Sequence, residues 1–190
     1  LLLDQLEGKL GLSKRIGIEC LIEEVEGLMR VEEIAASSDR IETLIFGVGD
    51  YAASQHMPLA SVGGTADYPP DLWHYPRFKL TMASRANGIA PMDGPFADFQ
   101  DTRSLELEAG RAHTLGMAGK WAIHPDQVDP IQAMFTPSAE RIADARKQKA
   151  AYEIAQANGQ GAINVDGVMV DAASIRLSQG LLDQADLLGL

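Results

Sequence analysis

The stretch GIECLIEEVEGL at residues 17–28, taken together with LIFGVGDY at residues 44–51, decides the fold of this chain. Each stretch begins as an apolar run of strand length, and an acidic residue follows each run, Glu23 in the first and Asp50 in the second. The helix-sized segment 25–36 between them completes the strand, crossover, strand pattern of a parallel βαβ unit. Because parallel strands have their carboxyl ends at the same edge of a sheet, we predict that Glu23 and Asp50 lie close together.

The two carboxylates form a candidate metal site. Neighbouring carboxylates repel each other unless a proton or a cation lies between them. A hard divalent ion, Mg²⁺ above all, binds such oxygens together with water and substrate oxygens. Glu19 is a rival ligand because side-chain alternation places it on the same face as Glu23, but it lies about 13 Å lower along the strand at about 3.3 Å per residue. The alternative for Asp50 is a turn or N-cap residue.

The rest of the first 135 residues continues the alternation of strand and helix. Strands are predicted at residues 16–22, 44–48, 89–92 and 120–123, and helices at residues 25–36, 76–87 and 102–115. This order indicates an α/β fold with a parallel sheet. The first run is nearly continuously apolar, which is typical of a strand covered on both faces.

Loops after the predicted strands carry further candidates. Gly47 and Gly49 would let the backbone approach a ligand closely, and the long loop over residues 52–73 is of a length that is usually functional or mobile. Asp93 either orients substrate or is an ordinary turn residue. His124, taken alone, is more often a hydrogen-bonded turn residue than a catalyst.

After residue 135 the pattern changes, and we predict a second region over residues 136–190. It is expected to contain a long helix, a β-hairpin and a last helix, at residues 136–158, 162–170 and 172–188. The hairpin turns at Asp166 and Gly167, a pair that favours a two-residue turn. Asp171 stands directly before the last helix, so the residues alone favour N-capping as its role.

Composition narrows the classes of function. The 190 residues carry 16 Lys and Arg against 27 Asp and Glu, a net charge of −11. This balance argues against binding to nucleic acid or to a membrane surface. Cys20 is the one cysteine, so an internal disulfide is excluded and a reducing cytoplasm is expected. No apolar run approaches the roughly 18 residues that suggest a membrane-spanning helix.

Six blocks occur in a fixed order: IGIECLIEEVEGL, RIETLIFGVGDY, WHYP, APMDGPFADF, GKWAIHP and INVDGVMVDAAS. From residue 8 to the C terminus the chain resembles the CitE-like (HpcH/HpaI aldolase/citrate lyase) family, and within it the malyl-CoA and β-methylmalyl-CoA lyases. The resemblance implies a (β/α)8 TIM barrel with Mg²⁺, or alternatively Mn²⁺, bound by Glu23 and Asp50. A complete barrel usually needs about 250 residues. We therefore expect a C-terminal portion, whose strands are barrel strands five to eight, followed by a helical arm and a hairpin lid.

The same resemblance implies roles for other residues. Asp171 would be the catalytic acid or base, on a lid that closes over the active site of a neighbouring subunit in a homo-oligomer, a trimer or a hexamer. His124 and Pro125 would line the CoA pocket, and Gly49 and Asp50 would contact the substrate. The arginine that grips the substrate carboxylate would lie upstream, so these residues alone are expected to be inactive.

The activity implied is the reversible cleavage of malyl-CoA to acetyl-CoA and glyoxylate, or of β-methylmalyl-CoA to propionyl-CoA and glyoxylate. Alternatives on the same scaffold are a malyl-CoA thioesterase, a citramalyl-CoA or citryl-CoA lyase, and a hydroxy-acid aldolase that uses no CoA. A different class of alternative is a non-catalytic partner subunit that keeps the fold. The presence of all three acids, at positions 23, 50 and 171, counts against this last alternative.

Overall fold

A computed structural model describes residues 2–59 and 71–190. The chain consists of two compact units, and the boundary between them in the sequence falls between Phe135 and Thr136. The first unit alternates helices and strands. Its elements are α1 (Leu2–Leu10), β1 (Ile18–Ile22), α2 (Val25–Met29), α3 (Val31–Ala36), β2 (Ile41–Phe46), α4 (Val48–Ser54), α5 (His74–Ala86), β3 (Ala90–Asp93), α6 (Thr102–Thr114), β4 (Gly119–Lys120), a 3-10 helix (Pro125–Gln127) and α7 (Val128–Phe135).

The four strands of this unit form one parallel sheet in the order β1-β2-β3-β4. Ile22 pairs with Phe46 at the end of β1, and Ile45 pairs with Met92 at the next junction. The strands follow one another in sequence order because a helical crossover returns the chain to the same edge each time. The predicted α/β fold with parallel strands is confirmed, and the four strand–helix units have the order expected for half of a (β/α)8 barrel.

The hydrophobic core lies between the sheet and its helices. Its most deeply buried members include Val31, Leu44, Phe46, Trp73 and Leu80, each 1% exposed or less. They come from α3, β2, the residue before α5, and α5 itself, so burial of apolar surface joins the crossover helices to the strands.

One expectation about β1 is wrong. Its burial alternates, with Ile22 in the core while Leu21 is 37% exposed and Glu19 is also exposed. One face of this strand is therefore open in the chain, although its apolar run suggested cover on both faces. The side-chain period of two in a strand explains why neighbours in one apolar run differ in exposure.

Several boundaries differ from those predicted. The second strand is Ile41–Phe46 and ends before Val48, which begins α4. The fourth strand is only Gly119–Lys120. The predicted helix over residues 25–36 is broken at Arg30, which lies at φ −115° and ψ 22°. Part of the predicted loop over residues 52–73 is helical, since α4 extends to Ser54, and residues 60–70 of that loop lie outside the described residues.

The second unit, Thr136–Leu190, contains α8 (Ala139–Ala157), β5 (Ala162–Val165), β6 (Val168–Asp171) and α9 (Ala172–Leu188). The predicted hairpin is confirmed, because β5 and β6 pair antiparallel, and Asp166 and Gly167 adopt φ values of 51° and 86°. Two positive φ values are typical of a type I′ turn. The helix predicted to start at residue 136 begins at Ala139, and its N-cap Ser138 accepts a side-chain hydrogen bond from the Arg141 backbone N–H at 3.3 Å.

None of the helices in the described part of the chain is long and apolar enough to cross a membrane.

Candidate functional site

Parallel pairing of β1 and β2 brings Glu23 and Asp50 together. The Gly47 N–H donates to the Ile22 carbonyl oxygen at 2.9 Å, which continues the ladder one residue past the paired Ile22 and Phe46. Glu23 follows directly, and its carboxyl group lies close enough to Asp50 for that neighbouring charge to raise its pKa. The two acidic side chains are therefore neighbours at the carboxyl edge of the sheet.

Gly47 allows this approach. A Cβ atom at position 47 would lie 2.4 Å from Cβ of Glu23 and 3.1 Å from its Oε2. Contacts below about 3 Å do not occur between such atoms, so any side chain there would displace Glu23. The sequence predicted a close backbone approach at Gly47 toward a ligand, whereas the structure shows the approach toward the neighbouring acidic residue.

The electrostatics of the pair follow from its surroundings. Burial and the neighbouring charge of Asp50 raise the pKa of Glu23 above its ordinary value. Within residues 2–59 and 71–190, no lysine, arginine or histidine forms an ion pair with either carboxyl group. The pair is thus a place where a proton or a cation is favoured.

Asp50 does not lie in a strand-end loop. It occupies the first turn of α4, whose N-cap is Gly47, so the N-cap role considered for Asp50 is wrong. An acidic residue in a first helical turn is favourable because the N-terminal end of the helix dipole is positive. Gly49 is the preceding residue of the same turn and is half-buried, while Asp50 is exposed.

The pair fits a metal that needs few protein ligands. No group of three or more His, Cys, Asp or Glu side chains that could hold a metal was found in the described part of the chain. Mg²⁺ keeps several waters and is usually held by one or two carboxylates plus substrate oxygens. Glu19, the rival ligand, pairs in register with Thr43 toward the start of β1 and lies far from the end of the strand.

Asp171 belongs to the second unit and caps α9. Its Oδ1 atom accepts hydrogen bonds from the backbone N–H groups of Ala173 and Ser174 at 3.0 and 2.9 Å, and from the Ser174 hydroxyl at 3.0 Å. These bonds, led by that from the Ser174 backbone, hold the pKa of Asp171 below its ordinary value. The N-capping role that the residues alone favoured is confirmed, and all three bonds engage the same oxygen.

His124 caps the 3-10 helix that begins at Pro125, and its Nδ1 accepts a hydrogen bond from the Asp126 backbone N–H at 3.3 Å. Its ring stacks on Phe99, with centroids 4.5 Å apart and planes at 17°. Phe99 and Ile123 are both exposed, at 45% and 54%. The turn therefore presents a flat, partly apolar surface. Phe99 contributes to this surface and was not among the residues predicted from the sequence.

The structure also contains a buried group of charges that the sequence did not predict, which we call the ionic cluster: Arg77, Asp93, Glu108 and Lys120. Each member is 7% exposed or less. Arg77 donates from Nε to Asp93 Oδ1 at 2.8 Å and from Nη2 to Glu108. Lys120 Nζ donates to Asp93 Oδ2 at 2.6 Å and to the Gly94 carbonyl oxygen at 2.7 Å.

Asp93 is therefore neither a turn residue nor a group open to substrate. It is the last residue of β3 and is 1% exposed. Burial alone would raise the pKa of Asp93, but the charges of Lys120 and Arg77 outweigh it, and the pKa lies below its ordinary value. No local sequence signal marks the cluster, because its four members lie on four different elements.

The sequence pattern of the HpcH/HpaI aldolase/citrate lyase family matches residues 4–125. The L-malyl-CoA/β-methylmalyl-CoA lyase of Rhodobacter capsulatus is 41% identical over 196 residues, which cover 98% of this chain and 62% of that protein. The (3S)-malyl-CoA thioesterase of Cereibacter sphaeroides is 30% identical over 95% of this chain and 61% of its own length. The chain thus spans about three fifths of the length of these relatives.

A solved structure shares the fold. It is the CitE protein of Mycobacterium tuberculosis in complex with magnesium, acetoacetate and coenzyme A, which matches with a TM-score of 0.70 and 26% identity over 93% of this chain and 63% of that chain. The family pattern covers the strand–helix units, and the structural match extends over most of the residues that follow them. The chain belongs to the HpcH/HpaI aldolase/citrate lyase family.

Proposed function

We propose that the protein is a Mg²⁺-dependent carbon–carbon lyase that cleaves malyl-CoA or β-methylmalyl-CoA reversibly to acetyl-CoA or propionyl-CoA and glyoxylate. The observation that carries the proposal is the Glu23–Asp50 pair, two neighbouring carboxyl groups at the carboxyl edge of a parallel sheet without an ion-pair partner in the described residues. The 41% identity to a lyase of this name supports the substrate class.

Glu23 and Asp50 would hold the metal, each through carboxylate oxygens. A Mg²⁺ bound there would supply Lewis-acid polarisation of the glyoxylate carbonyl. The magnesium in the related CitE structure supports this choice of ion. The chain's own contribution is to keep two negative charges side by side, which the close packing of Gly47 on Glu23 enforces.

Asp171 would move the proton at the acyl-CoA carbon. In condensation it would take a proton from the methyl group of acetyl-CoA, and in cleavage it would return that proton. Asp171 is ionised near neutral pH, which is the form a base requires, and its lowered pKa makes it a weaker base than an unperturbed aspartate. Because the capping bonds engage Oδ1, the second oxygen can act without uncapping α9.

The remaining roles concern CoA and the assembly. The turn of His124 and Pro125 would contact CoA, with the Phe99 ring stacked beside it, and Gly49 would present backbone to the substrate. We further propose that the hairpin of the second unit carries Asp171 into the active site of a partner subunit, in a trimer or hexamer located in the cytoplasm.

The second candidate is a malyl-CoA thioesterase, which the 30% identity to a protein of that name favours. The two activities differ in products. The test incubates the full-length protein with malyl-CoA and Mg²⁺ and quantifies the products. Acetyl-CoA with glyoxylate supports the lyase, free CoA with malate supports the thioesterase, and no turnover supports a non-catalytic partner subunit.

A matched pair of variants links the activity to the site. Glu23→Gln should reduce turnover by at least about 100-fold, since it removes one of two proposed charged ligands. Glu19→Gln changes an acid on the same strand and should retain wild-type turnover. Equal losses in both variants, or full activity in Glu23→Gln, would contradict the assignment of Glu23.

A further inference from the structure

We propose that Lys120 is a positioning residue, and that the ionic cluster sets the geometry of the Glu23–Asp50 pair through Gly94 and the end of β2. The inference rests on the proposed function, because it assigns to buried charges a purpose at the metal site. It is carried by a continuous series of short contacts that begins at Lys120 and ends at Glu23.

The first contacts fix the segment that follows β3. Lys120 holds it at two points, the Asp93 carboxylate and the Gly94 carbonyl oxygen. The Trp121 backbone N–H donates to the Asp93 carbonyl oxygen at 3.0 Å, and Arg77, which lies on α5, donates to the Asp93 carboxylate. Gly94 therefore has little freedom to shift relative to β4.

The next contact joins this segment to β2. A Cβ atom at Gly94 would lie only 2.0 Å from the Phe46 carbonyl oxygen and 3.4 Å from Val48 Cγ1. The backbone of Gly94 thus packs directly against the end of β2 and the start of α4. Any shift of Gly94 toward β2 would push the Phe46 carbonyl, because backbone cannot move aside as a flexible side chain can.

The last contacts reach the two acids. Phe46 is followed by Gly47, whose N–H bonds the Ile22 carbonyl oxygen at 2.9 Å and whose Cα lies against Glu23. Gly47 is also the N-cap of the helix that carries Asp50. The position of Gly47 therefore determines the separation of the two carboxylates, and the ionic cluster holds the neighbour of Gly47 in place.

The alternative is that the ionic cluster only stabilises the fold. Arg40, a buried charge far from the carboxyl edge, provides the control that separates the two roles. Arg40 is 7% exposed, as Lys120 is, and it forms ion pairs with Asp4 and with Glu7, the latter at 2.7 Å. It directly precedes Ile41 at the opposite end of β2. Loss of Arg40 should destabilise the fold without altering the carboxyl edge.

The test measures Mn²⁺ binding by electron paramagnetic resonance in the full-length wild-type, Lys120→Met and Arg40→Met proteins, at a temperature where circular dichroism shows all of them folded. Lys120→Met should weaken Mn²⁺ binding by about 10- to 100-fold, the usual effect of losing support behind metal ligands. Arg40→Met should lower the unfolding temperature but bind Mn²⁺ as the wild type does.

Gly94→Ala provides a second variant that leaves every charge in place and disturbs only the contact with Phe46. It should also weaken Mn²⁺ binding by at least about tenfold, because it too removes support behind the metal ligands. Wild-type affinity in folded Lys120→Met or Gly94→Ala would overturn this inference alone. Absence of Mn²⁺ binding by the wild type would overturn the proposed metal site as well, so the two failures are distinguishable.

Discussion

Glu23 is the residue at which the repulsion between the two neighbouring carboxylates can be measured. Its pKa is raised in the folded protein, so the folded state holds that proton more tightly than the unfolded chain does. Ionised Glu23 therefore disfavours folding, and this effect grows as the pH rises above 4.5, the ordinary pKa of a glutamate.

We accordingly expect Glu23→Gln to unfold at a higher temperature than the wild type when both are measured with chelator at about pH 7, and the difference to vanish at about pH 4. Added Mg²⁺ should raise the unfolding temperature of the wild type only, because a ligand stabilises the state that binds it. A variant less stable than the wild type at neutral pH in chelator would contradict this account.

Asp171 has a structural and a proposed catalytic role, and two substitutions separate them. Asn is a good N-cap, whereas Ala is a poor one. Asp171→Asn should keep the unfolding temperature of the wild type and lose turnover. Asp171→Ala should lose turnover and also unfold at a lower temperature. If Asp171→Asn keeps turnover, capping is the only function of this residue.

At the scale of elements, the ionic cluster joins α5, β3, α6 and β4, and its removal should cost stability. Asp93→Asn leaves the buried charges of Arg77 and Lys120 without their shared partner, which we expect to lower the free energy of unfolding by about 3–5 kcal/mol in urea titrations. Asp98→Asn, an exposed change in the loop after β3, should have an effect within about 0.5 kcal/mol. A loss below about 1 kcal/mol for Asp93→Asn would contradict the role assigned to the cluster.

Sequence periodicity predicted which elements exist better than where they end. The hairpin followed from Asp166 and Gly167, because positive φ at two successive residues requires such a pair. The break at Arg30 could not be predicted, since neither proline nor glycine stands there. Trp121 and Ile123 are apolar and suggested a longer fourth strand, but only two residues, Gly119 and Lys120, pair with β3.

In the candidate site, too, some features could be predicted from the sequence and others could not. Parallel pairing was enough to bring Glu23 and Asp50 together, because it depends on the direction of two strands alone. The ionic cluster depends on which helix faces lie over β3 and β4, and no pattern within one element encodes that. Phe99 was missed for a similar reason, as it meets His124 only through the fold.

At the scale of the whole molecule, the proposed exchange of hairpins between subunits predicts complementation. Glu23→Gln and Asp171→Asn should each be inactive in their own oligomers. Mixed oligomers, formed by unfolding and refolding the two variants together, should regain part of the wild-type turnover, because some sites then combine an intact Glu23 with an intact Asp171. Mixtures that stay inactive, while the wild type refolded in the same way is active, would show that both residues act within one subunit.

The central claim is that one divalent ion binds between Glu23 and Asp50. The most direct measurement is an anomalous difference map from crystals of the full-length protein grown with Mn²⁺. We expect one strong peak per chain, about 2 Å from a carboxylate oxygen of each residue, as in other oxygen-ligated sites of this kind. A peak bound elsewhere, or well-ordered Glu23 and Asp50 carboxylates with no peak between them, would contradict the account.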